Sequence, residues 1–266
     1  MSLERFLVVA LAIVSTLAAG LAAETRARSS ITAGTLALVT AANVLALPLA
    51  AYLLVQAFSI EGGGGLVLAA AAPGGSTGPL LAVLGRGDAQ VAAVTFLVLT
   101  LAGMVTALLA TMALDIAGFT TVLAASAVVV TSSVGPLIAG LAIRARRPVL
   151  AAAWQPWLSR LSLALLGATI VVLAVRHAGA ARAATVIVGA VVGAFALGIG
   201  GLVRDRASRV AVAQVSAVRN LTLVLLVLAV IGAPPAETMA ALAYGLAMYV
   251  ATLVTAAWWR SGMRQR

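Results

Sequence analysis

Arg219 is the residue of this chain whose position points most directly to chemistry. It lies inside an apolar run, Val210 to Ile231, that is long enough to cross a lipid bilayer. A charge at that depth costs about 2.5 to 3.5 kcal/mol on insertion scales, so ionisable residues inside membrane spans are rare and usually functional. We place every other charged side chain near a predicted helix end. Arg219 is therefore the first candidate for handling an ion or a charged solute.

A second polar feature interrupts the third predicted span, where the sequence reads Pro73-Gly-Gly-Ser-Thr-Gly-Pro79. Proline removes a backbone donor and clashes with the preceding turn, so this segment cannot form a continuous helix. Unwound backbone at membrane depth is tolerated only where protein or a water-filled cavity satisfies its polar groups. Discontinuous helices of this kind are typical of secondary transporters, whose substrate and ion sites lie where the broken ends converge. We predict a solute site of two parts, namely a helix break at Pro73, Gly74, Gly75, Gly78 and Pro79 and binding residues Arg219, Asn220, Asn43, Ser76, Thr77, Ser216, Thr222 and Gln214.

Each of these features also has a structural interpretation. Glycine and proline kinks occur in membrane proteins that transport nothing, and a buried arginine can simply tie backbone carbonyls together. The presence of both features, in different spans of one small bundle, favours a solute pathway. In the fifth span we interpret Thr131-Ser-Ser133 and Gly135-Pro136 as helix packing and a kink.

The composition predicts an all-α polytopic membrane protein. Of its 266 residues, 63% are hydrophobic and 9% charged, and the mean hydropathy is +1.16. A soluble domain of this length cannot bury so much apolar surface. Because no linker is long enough to separate a soluble domain, residues 1–266 form a single transmembrane domain in this interpretation. We predict about nine spans, at roughly 3–23, 31–58, 62–85, 89–113, 118–143, 149–175, 182–203, 208–231 and 236–259.

The net charge of +10 indicates membrane orientation and not a nucleic-acid partner. With the N-terminus outside, the outer segments hold only Arg5, Arg176 and Arg182, and the basic residues concentrate on the inner side. We therefore predict a multi-pass cell-membrane protein with a cytoplasmic C-terminus, and the Ala/Arg-rich, lysine-free composition favours a bacterial inner membrane. The inner arginines are Arg26, Arg28, Arg86, Arg144, Arg146, Arg147, Arg204, Arg206, Arg209, Arg260, Arg264 and Arg266.

The order and spacing of these motifs resemble the bile acid:sodium symporter family, in a divergent nine-helix form that covers essentially the whole chain. The resemblance implies two inverted repeats with two discontinuous crossing helices, and a core domain that moves against a panel domain in alternating access. The matching motifs are Pro73-Gly-Gly followed by Gly87-Asp88, Asn43 with Pro48, Pro136 with Arg147-Pro148, and Val215-Ser-Ala-Val-Arg-Asn220 where the family has Glu-x-Gly-x-Gln-Asn.

The sodium-ligand positions that this resemblance implies have mostly lost their oxygen atoms. Alanine, phenylalanine, valine and proline side chains offer no oxygen to a cation, and Arg219 adds a fixed positive charge. Repulsion between two such charges at 4 Å is about 4 kcal/mol at an effective dielectric near 20. Bound sodium is therefore possible but disfavoured, and no other cofactor is expected. The positions concerned are Gly78, Pro79, Ala92, Phe96, Val215 and Arg219.

Our first hypothesis is a secondary transporter of a small organic anion that works without sodium. In one version the Arg219 guanidinium takes the place of a bound cation, held by backbone carbonyls and by Asn43, Asn220 and Thr222. In the other version Arg219 binds the substrate carboxylate directly, a role that suits its forked donor geometry. The lipid bilayer and the organic anion are the partners that the sequence indicates.

Two alternatives stay open. In a sodium-coupled organic anion symporter, backbone oxygens together with Ser76, Thr77 and Ser216 would hold the ion. A non-transporting structural or regulatory membrane protein would result if the site had degenerated. An enzyme is disfavoured, because the sequence offers no nucleophile–base pair, metal cluster or carboxylate pair at a plausible depth. The sequence selects neither one substrate among organic anions nor an oligomeric state.

Overall fold

A computed structural model describes residues 3–22, 31–177 and 183–262 of the chain. This part of the chain is helical and contains no strand. Seven of its helices are long and apolar enough to cross a membrane, so the chain is a multi-pass membrane protein. Five of the arginines on which the orientation depends lie outside the described residues: Arg26, Arg28, Arg182, Arg264 and Arg266.

The seven long helices are made from the following elements. Some of them contain a π turn or end in a 3₁₀ turn. They are α1 (Leu3–Ala22), α2 (Ala33–Ala41) continued by α3 (Leu47–Ala57), α6 (Ala89–Ala113), α7 (Phe119–Val129) continued by α8 (Gly135–Arg146), α9 (Pro148–His177), α10 (Ala183–Gly198) with a 3₁₀ turn (Ile199–Leu202), and α13 (Pro235–Gly262).

The predicted spans 62–85 and 208–231 are not continuous helices in the structure. The first consists of α4 (Gly63–Ala70) and α5 (Gly78–Leu84), and the second of α11 (Arg206–Ala217) and α12 (Leu221–Ile231). We name the non-helical residues between the halves the first break (71–77) and the second break (218–220). The first break overlaps the predicted segment Pro73–Pro79, and the second contains Arg219 and Asn220 of the predicted polar cluster.

The predicted composition of the first break needs a correction. Gly78 and Pro79 were assigned to it, but they form the first turn of α5. Proline is favoured there, because its missing N–H would have no partner at a helix start in any case. Unwinding instead begins earlier, after Ala70, so that the break lies entirely before the second proline.

Two long helices pass through a π turn shortly before a proline. Ala42–Ala46 precedes Pro48, and Val130–Val134 precedes Pro136. A proline leaves a carbonyl of the preceding turn without its usual donor, and the wider π turn absorbs this irregularity without ending the helix. The first of these turns carries Asn43, whose side chain is buried.

The broken helices lie inside the bundle. Every residue of α12 from Leu221 to Leu228 is buried, as expected for a helix that is apolar on all sides. α13 packs on α4 and α10, α11 packs on α5 and α6, and α1 packs on α8, α9 and α12. Four long helices, α1, α6, α9 and α13, therefore surround the two broken helices.

Candidate functional site

The two breaks pair with each other through their backbones. The N–H of Gly75 donates to the carbonyl of Val218 at 3.0 Å, and the N–H of Asn220 donates to the carbonyl of Ala72 at 2.7 Å. These two hydrogen bonds form a short antiparallel bridge in which Pro73 is paired with Arg219. Backbone groups that lose their helical partners in one break thus pair with backbone groups of the other break. This pairing makes unwound backbone tolerable inside an apolar bundle.

Two threonines of α6 fix the first break in place. The Thr106 hydroxyl donates to the carbonyl of Ala71 at 2.6 Å, and the Thr100 hydroxyl shares its one proton between the carbonyl of Gly74 at 3.0 Å and that of Phe96, in its own helix, at 2.7 Å. Sequence analysis missed both residues. The available signal was a pair of hydroxyls, about one and two-thirds turns apart, on the predicted span that follows the Pro/Gly-rich break.

Glycines let α6 approach the first break closely. Gly74 has φ of 84°, and a Cβ on it would lie 2.4 Å from the backbone nitrogen of Thr100. A Cβ on Gly103 would lie 2.5 Å from the carbonyl oxygen of Pro73. Neither position has room for a side chain, so α6 and the first break are in backbone contact.

The Arg219 side chain is enclosed within the core. It is 1% exposed, and within the described residues none of its three guanidinium nitrogens has a hydrogen-bond partner. The group closest to it in electrostatic terms is the hydroxyl of Tyr244 on α13, which is also buried; the two side chains attract each other, but no pair of their atoms reaches ordinary hydrogen-bond geometry. The backbone N–H of Arg219 points to the sulfur of Met248 at 2.9 Å. Tyr244 is the functional candidate that sequence analysis missed.

The partners predicted for the guanidinium were therefore wrong. Asn43 instead donates to the Ser216 hydroxyl at 2.9 Å, and Asn220 caps α12 by accepting from the N–H of Leu223. Asn220 stands at the N-cap, where an amide oxygen satisfies a free N–H of the first turn, so its side chain is committed to the helix start. Thr222 does not bond to the guanidinium either, since all three nitrogens are without partners.

Gln214 also faces away from the predicted cluster. Its side-chain nitrogen donates to the carbonyl of Thr252 and to the hydroxyl of Thr255, at 3.2 and 3.1 Å. It ties α11 to α13, which is a packing role. Its oxygen and the Asn43 side-chain oxygen are buried acceptors for which the described residues supply no donor.

A cavity of about 410 Å³ borders the first break. Ser76 and Thr77 line it from the break, Ser15 lines it from α1, and Ser159 and Ser162 line it from α9. The rest of its described lining is one glutamine and apolar side chains. The cavity is therefore neutral, with hydroxyl groups on both the broken helix and the long helices that face it.

A small pocket of about 20 Å³ joins this cavity to the second break. It shares Ser76, Thr77 and Ser162 with the large cavity and is lined in addition by Arg219 and Thr222. Because the guanidinium nitrogens are themselves inaccessible, the charge lies behind the pocket wall. The structure thus brings five predicted residues to one place: Ser76, Thr77, Arg219, Asn220 and Thr222.

A second cavity, of about 360 Å³, lies at the opposite ends of α1 and α9. Glu4, Arg5 and His177 line it. Glu4 pairs with Arg176 at 2.9 Å and lies 3.8 Å from His177, while Arg5 donates to the carbonyl of Ala229 at 3.1 Å. Arg5 therefore ties the start of α1 to the last turn of α12, at the end of the bundle away from the large cavity.

The turn before α11 carries a helix cap with a perturbed acid. The N–H of Ser208 donates to the Asp205 carboxylate at 2.8 Å. This backbone bond, supported by the Ser208 hydroxyl, lowers the pKa of Asp205. Elsewhere, the described residues hold no group of three His, Cys, Asp or Glu side chains that could ligate a metal.

Comparison with known proteins does not assign the chain to a family. No protein-family model matches it, and no curated protein matches it.

Proposed function

We propose that this protein is a secondary transporter of a small organic anion and that it works without sodium. The observation that carries the proposal is the pairing of two interrupted helices next to a cavity of about 410 Å³. Paired breaks of this kind form the solute sites of secondary transporters, because unwound backbone and half-helix ends are exposed there to a ligand.

In this proposal the chain is a divergent nine-helix member of the bile acid:sodium symporter family. The seven long helices and the two broken ones would be the nine crossings, arranged as inverted repeats. The broken helices and their neighbours would form the core domain, and α1, α8 and α9 would belong to the panel domain that faces the cavity. The N-terminus would lie outside and the C-terminus in the cytoplasm, in a bacterial inner membrane.

Arg219 acts as an internal cation in this proposal. Its enclosed guanidinium supports this version over direct binding of the substrate carboxylate, because the nitrogens are not open to the cavity. α4 and α11 both end at the breaks, and helix C-terminal ends favour positive charge. A cation fixed there by a covalent tether would do what a bound sodium does in a coupled carrier, without requiring sodium.

The neutral cavity then recognises its anion through hydroxyls such as those of Ser76, Thr77 and Ser162, which donate hydrogen bonds to it. Since the same hydroxyls lie on a broken helix and on α9, an anion bound between them would hold the two moving parts together. This is the coupling between binding and movement that alternating access needs.

Transport by the purified protein tests the proposal. Proteoliposomes would be loaded and assayed with a panel of labelled organic anions that includes a bile acid, a keto acid and a short monocarboxylate. Ala93→Phe fills the cavity from α6, and Val105→Phe places the same ring on a face of α6 where the side chain is 59% exposed. We expect uptake of at least one anion, lost in Ala93→Phe and kept in Val105→Phe. Absence of uptake for the whole panel, or equal uptake by both variants, would contradict the proposal.

A sodium-coupled organic anion symporter is the second candidate. One observation favours it: the side-chain oxygen of Asn43 is buried beside Ser216 and accepts no hydrogen bond from any described residue. An unpartnered amide oxygen is a ligand that a hard cation accepts. Uptake that requires sodium would identify this candidate, and uptake that is equal in choline would exclude it.

A further inference from the structure

The positive charge of Arg219 has no negative partner in the described structure. Its guanidinium is enclosed, its three nitrogens are without acceptors, and the group with which it interacts electrostatically is the Tyr244 hydroxyl. A buried charge is costly unless it is both paired and hydrogen-bonded. Arg219 meets neither condition with the side chains that surround it.

The acidic residues that the structure describes do not supply the missing charge. Glu4 pairs with Arg176, and Glu237 accepts from the N–H of Gly65 at the start of α4. The others in the described structure also lie at or beyond helix ends, and Glu24 falls outside the described residues. Those others are Glu61, Asp88, Asp115 and Asp205.

The groups left without partners at this place are donors. A guanidinium has five N–H donors and no acceptor, and the Tyr244 hydroxyl is free to donate. α12, which has eleven residues, begins two residues after Arg219, and the positive end of its helix dipole adds a favourable potential for an anion, although the N–H groups of Leu221 and Leu223 already have acceptors. The donors left without acceptors are those of the guanidinium and the Tyr244 hydroxyl, and the acceptor that suits them carries negative charge.

We propose that Arg219 and Tyr244 hold one small monovalent anion of the halide class, enclosed beside the second break. A single negative charge balances the single guanidinium, and the enclosure of both side chains excludes an ion with a bulky body. Water would satisfy the hydrogen bonds but would leave the charge unbalanced. This inference goes beyond transport and does not depend on it, because a resident anion would be present whether or not the protein carries a solute.

Direct binding of chloride tests the inference. Equilibrium binding of radioactive chloride to the purified protein, in choline gluconate buffer, should show one site per chain. Arg219→Gln should abolish it, and Tyr244→Phe should weaken it roughly tenfold, the effect of losing one hydrogen bond to a charged group. Arg160→Gln is the matched control, since Arg160 is an exposed arginine that stacks on Trp157, and it should bind chloride like the wild type.

Several results would overturn the inference. One is the absence of saturable chloride binding to the wild type. This measurement does not use the Arg219→Gln variant, so it remains decisive even if that variant fails to fold. Another is binding of acetate in preference to chloride, which would assign the site to a carboxylate. A third is a tyrosinate absorbance band at neutral pH that disappears in Tyr244→Phe, because an ionised Tyr244 would itself be the counter-charge. None of these measurements uses transport. A result that contradicts the bound anion can therefore be distinguished from one that contradicts the proposed transport function.

Discussion

Replacement of Gly103 by alanine tests whether α6 sets the position of the first break. The added Cβ would lie 2.5 Å from the carbonyl oxygen of Pro73 and 3.2 Å from its nitrogen and Cδ. All three are backbone or ring atoms that cannot rotate away. The substitution therefore forces α6 and the break apart, in a place where two threonine hydroxyls hold them together.

The size of the effect follows from this distance. An ordinary contact of a Cβ begins at 3.4 Å, so the Pro73 carbonyl must retreat by roughly 1 Å in a close-packed core. Overpacking of this kind costs about 1 to 3 kcal/mol. Gly193 on α10 offers the matched control, because a Cβ there meets nothing within 4 Å. Alanine gains about 0.5 to 1 kcal/mol at either helical position, so this gain cancels and the two variants should differ by the overpacking cost alone, about 1 to 3 kcal/mol.

The assay is unfolding of both variants in the same detergent, followed by organic anion uptake in proteoliposomes. We expect Gly103→Ala to unfold at a lower temperature than the wild type and Gly193→Ala at the same or a higher temperature. Uptake should fall in Gly103→Ala alone, because the hydroxyls of the break would move relative to the cavity. Equal stability and equal uptake of the two variants would refute the claim that α6 positions the break.

Three further predictions concern single contacts. Thr100→Val removes the hydroxyl that donates to the Gly74 carbonyl, and leaving that carbonyl unpaired should lower the free energy of unfolding by about 1 to 3 kcal/mol, measurable by denaturation. Asn43→Ala removes the amide that joins the π turn to α11 and should likewise destabilise the protein, whereas unchanged stability would show that this bond contributes little. The pKa of Asp205 is lowered by the N–H of Ser208, so its cap stabilises the start of α11 at neutral pH, and this stability is lost as pH falls through the folded-state pKa. Limited proteolysis of the α10–α11 turn should therefore accelerate at acidic pH in the wild type, and Asp205→Asn should remove this pH dependence.

The sequence predicted the first break well because its cause is local. Pro73 and its two following glycines cannot continue a helix, whatever surrounds them. The prediction was wrong at Gly78 and Pro79, because the rule that forbids proline inside a helix also favours it in the first turn, and it left out Ala71 and Ala72 at the other end of the break. The second break was harder, since Val218 and Arg219 are compatible with a helix, and only the polar cluster around them gave a signal.

Five of the eight predicted binding residues line the small pocket at the second break, but their contacts were not predicted. The burial of Arg219 follows from its place in an apolar run, and the structure bears it out. Its neighbour Tyr244 lies 25 residues further along, in a span that reads as an ordinary apolar helix, so only the packing of α13 reveals it. Thr100 and Thr106 were missed for the same reason: a threonine in a membrane helix usually bonds within its own helix, and reaching another backbone depends on the Gly103 contact.

The most direct test of the central claim is the response of the purified protein to sodium. Thermal unfolding would be recorded in sodium chloride and in choline chloride at the same concentration, so that chloride is constant, with Arg219→Gln in parallel. A sodium site filled to 100 times its Kd would add about 2.7 kcal/mol of stability. If Arg219 is the internal cation, the wild type unfolds at the same temperature in both salts and Arg219→Gln is less stable in each. A sodium-specific rise in the unfolding temperature of the wild type would contradict the account.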